Sequence, residues 1–147
     1  CKAAEVNITV VALGKIGLPL AVQFASLGHQ VHGADVVTVA AAPATPPAAA
    51  MLLSPVPTQH AHDYFTEATG QLNIGVWDTT GYHRKLIDFP RHELMCLLEG
   101  SVEFEDDLGV KQRFTAGDTF FVPLGTPNSW KSEGYLRKIF VIFQPKA

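Results

Sequence analysis

From position 73 to 143 the chain repeats one grammar: a short run rich in β-branched and aromatic side chains, then a turn signal. Glu99-Gly100, Asp107-Leu108-Gly109 and Ala116-Gly117-Asp118 interrupt the runs with residues that accept unusual backbone angles or bond their own main chain. Runs this short and this regularly spaced must pair with one another, in a sandwich or a closed barrel. The predicted strands are 73–79, 82–89, 92–99, 101–106, 110–114, 119–122, 129–131 and 136–143. The expected fold class is therefore mainly β, a single small antiparallel barrel over 61–147.

The residues before it have two other compositions. Residues 37–60 (VTVAAAPATPPAAAMLLSPVPTQH) are Ala- and Pro-rich and read as a semi-rigid linker. Residues 1–36 read as strand, helix, strand. A β-branched run over 6–11 is followed by Ile16, Leu20, Phe24 and Leu27, spaced to share one helix face; Gly28 stops the helix, and 31–34 returns as a strand. A start at Met51 would leave the β-rich portion whole.

Charge and composition exclude several functions. Eleven Lys and Arg stand against 14 Asp and Glu, a net charge of −3, so no basic field exists to hold nucleic acid or an anionic membrane. A hydrophobic content of 47% with so small a net charge excludes a disordered chain. The uncharged stretch 36–62 carries Pro43, Pro46, Pro47, Pro55 and Pro57, which break a membrane-spanning helix. Two cysteines, Cys1 and Cys96, cannot form a disulfide framework, and Cys96 is expected as a buried free thiol. With no secretory leader pattern, a cytoplasmic location is expected.

Two stretches resemble known families. The segment VVALGKIGLPLAVQFASLGHQVHGADV within 6–36 resembles the amino-terminal βαβ fragment, Rossmann-like and incomplete, of nucleotide-sugar dehydrogenases. That resemblance implies backbone approach to a pyrophosphate at Gly14 and Gly17 and ribose binding by Asp35. Ala12 stands where that family has Gly, and no second half-fold follows Asp35, so NAD is not expected as a cofactor.

The second resemblance lies in the β-rich part. Glu93-x6-Gly100 and Gly117-x5-Pro123-x-Gly125 are separated by 16 residues between Gly100 and Gly117. With Gly75-Val76-Trp77, Phe89-Pro90, Trp130 and Arg137-Lys138, the stretch 75–141 resembles the ureidoglycine aminohydrolase and ethanolamine-utilisation branch of the cupin superfamily. This implies a jelly-roll barrel with a small molecule inside. Metal-binding cupins place three imidazoles and one carboxylate in that interior. The resemblance puts Glu93 at the carboxylate, Leu86 and Asp88 or Ile87 and Phe89 at two imidazole positions, and Asn128 at the third. An intact three-His metal site is therefore not expected.

The leading expectation is a barrel that binds, or binds and converts, a small polar organic ligand, with Glu93 as acid/base or anchor. On an inward apolar face beside Met95 and Leu97, Glu93 needs an opposite charge, which Arg84 or Lys138 can supply. Trp77 and Trp130 are candidate walls, and Asn128 and His83 candidate ligand contacts. Three alternatives stand beside it. One is a metal-dependent enzyme using Glu93 with Asp88, Asn128 and His83; the second is a non-catalytic dimerisation module, a homodimer paired through exposed sheet edges and faces. The third is nucleotide binding through residues 12–35.

Overall fold

The structure, a computed structural model, describes residues 7–11, 30–34 and 41–145. The chain divides into two compact units, 1–40 and 41–147. In the first, β1 (Asn7–Val11) and β2 (Gln30–Ala34) form a parallel pair, with Asn7 opposite Gln30 and Val11 opposite Ala34. Parallel neighbours need a crossover connection. The predicted helix, Gly14, Gly17 and Asp35 lie outside the described residues.

The second unit holds β3 (Ala42–Pro43), β4 (Gln59–Thr66), β5 (Leu72–Thr79), β6 (Tyr82–Asp88) and β7 (His92–Glu99). It continues with β8 (Ser101–Glu105), β9 (Lys111–Thr115), β10 (Thr119–Val122), β11 (Pro127–Ser132) and β12 (Leu136–Phe143). One sheet runs β10-β7-β12-β5-β4-β3 and the other β6-β11-β8-β9. Their pairings are antiparallel. All eight predicted strands are present, with ends shifted by at most two residues. The fold is the expected small antiparallel barrel.

The expected linker is different from Ala41 onward. β3 is an edge strand on β4, a position where Pro43 is tolerated because its missing N–H leaves no ladder bond unmade. A short 3-10 turn at Ala49–Met51 then delivers Leu52, only 9% exposed, into the core. Leu52 bridges to Arg84, the Leu53 N–H donates to the His83 carbonyl, and the His83 N–H donates to Ser54 Oγ. The stretch is fastened to both sheets, so it is a strap of the barrel. Its Ala and Pro content looks like spacer because its apolar anchor, Leu52, is a single residue.

Strand alternation sorts the barrel's inside from its outside. On β7, Glu93, Met95 and Leu97 are buried, while His92, Leu94 and Cys96 are less so. Cys96 is half-buried, on the face opposite Met95. On β12 the buried set is Leu136, Lys138 and Phe140. The core joins Leu52, Tyr82, Phe89, Met95, Leu97, Val102, Val122, Trp130 and Leu136, with Trp77, Phe104, Phe114 and Phe120 packed against it. The β7–β8 turn requires Gly100. Its φ is +78°, and a Cβ there would strike the Tyr135 carbonyl.

Candidate functional site

The barrel interior contains a cavity of about 420 Å³. The six-stranded sheet contributes Trp77, Glu93, Met95 and Lys138 to its wall, and the four-stranded sheet Tyr82, Arg84, Ile87 and Trp130. Gln59 and Ala61 of β4, Phe140 and Ile142 of β12, Phe89, Pro90 and Arg91 between β6 and β7, and Ala44 to Pro47 of the strap complete it.

Glu93 is the centre of its charge. It is 1% exposed, and both oxygens are used: Lys138 Nζ donates to Oε1 at 2.7 Å and Arg91 Nε to Oε2 at 2.9 Å. Strand pairing does not make Lys138 and Glu93 neighbours. The ladder sets Lys138 opposite Leu97 and Ile142 opposite Glu93. The two long side chains lean along the interior until they meet beside Met95, whose Sδ lies 3.3 Å from Nζ. Nζ also lies 4.8 Å from the Trp77 ring centroid and 5.1 Å from that of Trp130, a cation–π position against both indoles.

These contacts shift both groups. Burial by itself raises the Glu93 pKa, but the charges and hydrogen bonds of Lys138 and Arg91 overcome it and hold the carboxyl below its ordinary value. For Lys138 burial dominates and lowers the pKa; Glu93 opposes this, and the Arg91 and Arg84 charges add to the lowering. Burial likewise raises the Tyr82 phenol well above its usual value.

Arg84 is held elsewhere. Its Nη2 donates to Asn128 Oδ1 at 2.8 Å, and its Nη1 to the Asn128 and Lys85 carbonyls at 3.2 and 3.0 Å. The aromatic walls are fixed in turn. Tyr82 stacks on Trp130 at 5.8 Å, Trp77 meets Trp130 edge-on at 5.8 Å, and Trp130 Nε1 donates to Ser132 Oγ at 3.3 Å.

Of the sequence-derived candidates, the cavity brings together Glu93, Lys138, Arg84, Trp77 and Trp130. It does not gather the rest. His83 alternates with the buried Tyr82 and Arg84, and Asp88 is exposed. Asn128 is buried, but its carboxamide is committed to Arg84 and, through Nδ2, to the Thr126 carbonyl at 2.9 Å. Arg84, expected as a possible counter-charge, does not reach Glu93; Arg91 does. The signal for Arg91 was its place two residues before Glu93, which lets it approach from the same side. Gln59 and the strap residues carried no comparable signal.

The three imidazole positions can now be placed. Ile87 and Phe89 line the cavity, so the register falls on them and not on Leu86 and Asp88. Two hydrocarbons and a committed carboxamide offer no imidazole, and the remaining carboxylate is spent on two cations. Among the described residues no group of three His, Cys, Asp or Glu is placed to hold a metal ion. The residues present do not fit the metal of the metal-binding cupins.

The model of the EutQ-like cupin domain matches residues 66–140, just over half of the chain. The chain belongs to that family. A DUF861-family protein of unknown function from Pseudomonas syringae pv. tomato is 36% identical to this EutQ-like cupin, with a TM-score of 0.69. The match covers 71% of this chain but 45% of the Pseudomonas one, so the chain spans less than half of that relative. The EutQ protein of Clostridium difficile shares the fold at 20% identity and a TM-score of 0.55, over 74% of this chain and 82% of its own. Among curated proteins nothing matches this chain. No helix among the described residues is long and apolar enough to cross a membrane.

Proposed function

We propose that this EutQ-like cupin binds a small organic anion, a molecule carrying a carboxylate, in the barrel cavity. The charge balance of the wall carries the reading. Lys138, Arg91 and Arg84 face the cavity with Glu93 as the single carboxylate among them, and Glu93 is already shared by two of the three. A bound carboxylate offsets the excess, and charge-assisted bonds to a guanidinium are among the strongest available. Arg91, with its side chain 39% exposed, is the cation at the mouth and meets the ligand first. Trp77, Tyr82, Trp130 and Phe140 supply flat apolar walls for its body.

Melting curves in the presence of small carboxylates, matched neutral amides and matched amines test this. Carboxylates are expected to raise Tm in the native protein and to lose that effect in Arg91→Ala. Stabilisation by amines alone would reverse the assignment of ligand charge.

A second reading rests on a different surface. On the outer face of the six-stranded sheet the register lines up Phe121, Leu94, Val141, Ile74 and Phe65 across five strands. Phe121 is 55% exposed, and Leu94 and Phe65 are also open. A row of apolar side chains this wide suits pairing with a second copy. Sedimentation is expected to give a dimer that Leu94→Asp with Phe121→Asp converts to monomer; a native monomer ends the reading.

A further inference from the structure

Lys138 is buried to 5% exposure and yet borders the cavity. Its three N–H bonds have one strong acceptor, Glu93 Oε1 at 2.7 Å. The other neighbours are the Met95 sulfur and the faces of two indoles, which are poor substitutes for water around an ammonium. Arg91 binds the second oxygen of the same carboxylate, and Arg84 adds a third positive charge to the wall. The wall thus holds surplus positive charge, and arginine cannot release a proton. Lysine can.

We propose that Lys138 is a nucleophilic amine that forms an imine with the carbonyl group of a small 2-oxo or aldehydic acid bound in the cavity. The proposal rests on the anion reading above and narrows the ligand class. Arg91 holds the ligand's carboxylate and sets the neighbouring carbonyl carbon toward Nζ. The neutral amine attacks that carbon, a C–N bond forms, and the carbonyl π pair moves to oxygen, which takes the first of the two nitrogen protons. Glu93 Oε1, in hydrogen-bond contact with Nζ, accepts a proton from nitrogen and passes it to the departing hydroxyl. Water leaves and C=N forms. No oxidant or reductant enters. Burial, opposed by Glu93 and aided by Arg91 and Arg84, lowers the lysine's pKa, the direction the attack requires.

The test uses the full chain, glyoxylate as the smallest aldehydic acid, and cyanoborohydride to reduce any imine to a stable amine. Peptide mapping by mass spectrometry then reads every lysine. At neutral pH Lys138 is expected to be modified at least about tenfold faster than the exposed Lys85 and Lys131, because the cavity holds the aldehydic acid beside its nitrogen. Its labelling rate should level off at lower pH than theirs. Lys138→Arg removes the adduct at that position, because a guanidinium does not release the proton that the attack needs; acetate, which has the carboxylate and no aldehyde, is expected to raise Tm of the native protein. If that variant does not fold, the native peptide map still decides.

Labelling confined to the exposed lysines while acetate still stabilises the protein overturns the imine and leaves anion binding standing. Labelling confined to those lysines with no acetate effect removes both readings.

Discussion

Glu93 and Leu97 share one face of β7, and the barrel treats them in opposite ways. Leu97, 1% exposed, belongs to the core cluster with Val102, Val122 and Leu136. Its burial is favourable for any apolar side chain of similar volume and needs no particular partner. Glu93 is equally buried, but its burial is tolerable only because Lys138 and Arg91 occupy both of its oxygens. One end of the strand builds stability from non-specific contacts. The other spends it on a geometry that several elements must deliver together, and that is where the cavity lies.

The largest expected effect breaks the charged end. Glu93→Ala removes the carboxylate that both Lys138 and Arg91 bond inside the barrel and should cost about 3–5 kcal/mol in a denaturant titration. Replacing the pair together, with Glu93→Leu and Lys138→Met, should recover most of that loss, because the desolvation penalty goes with the charges. If the double variant is as unstable as the single one, the two ends differ less than the ion pair suggests. At the apolar end Leu97→Ala should cost about 3 kcal/mol through a cavity alone. That loss should not change with pH between mild acid and mild base.

The pH dependence sharpens the contrast, and the two partners act at different ends of the scale. Glu93 has a folded pKa below its ordinary 4.5, so its contribution is full above that value and fades as pH falls through the folded pKa. Lys138 has a folded pKa below its ordinary 10.5, so the unfolded chain binds more protons between the two values. Stability from this group should therefore rise with pH toward 10.5. Melting curves of the native protein and Lys138→Met across that range are expected to converge in acid-stability loss only in part, and the alkaline rise should be absent from the variant. The smallest effect belongs to Arg91→Ala. Its removal leaves the buried Glu93 Oε2 without its donor and should cost about 1–3 kcal/mol, while carboxylate affinity falls by about tenfold or more.

The same contrast explains how much was legible beforehand. Strand positions followed from local composition and turn residues, and the inward set Glu93, Met95, Leu97 followed from alternation alone. Gly100 and Gly117, at φ of +78° and +97°, sit where the turns demanded them. The strap is not legible in the sequence because a single buried Leu52 and a two-residue edge strand leave no periodic trace. Between the two candidate counter-charges for Glu93, no local signal decides: Lys138 lies opposite Leu97 in the ladder, and only the lean of two flexible side chains joins it to Glu93. His83 and Asp88 looked usable because strand membership was legible while the facing of β6 beyond Arg84 was not.

Thus the chain's own pattern of apolar runs, turns and alternation determined the barrel and placed a carboxylate inside it. Those signals depend on nearest neighbours along the chain and are written locally. The register between β7 and β12, the path of the strap and the partners of Arg84 and Glu93 were decided by tertiary structure. They depend on residues brought together from distant positions, where the cost of an unpaired buried charge selects among the contacts that packing allows.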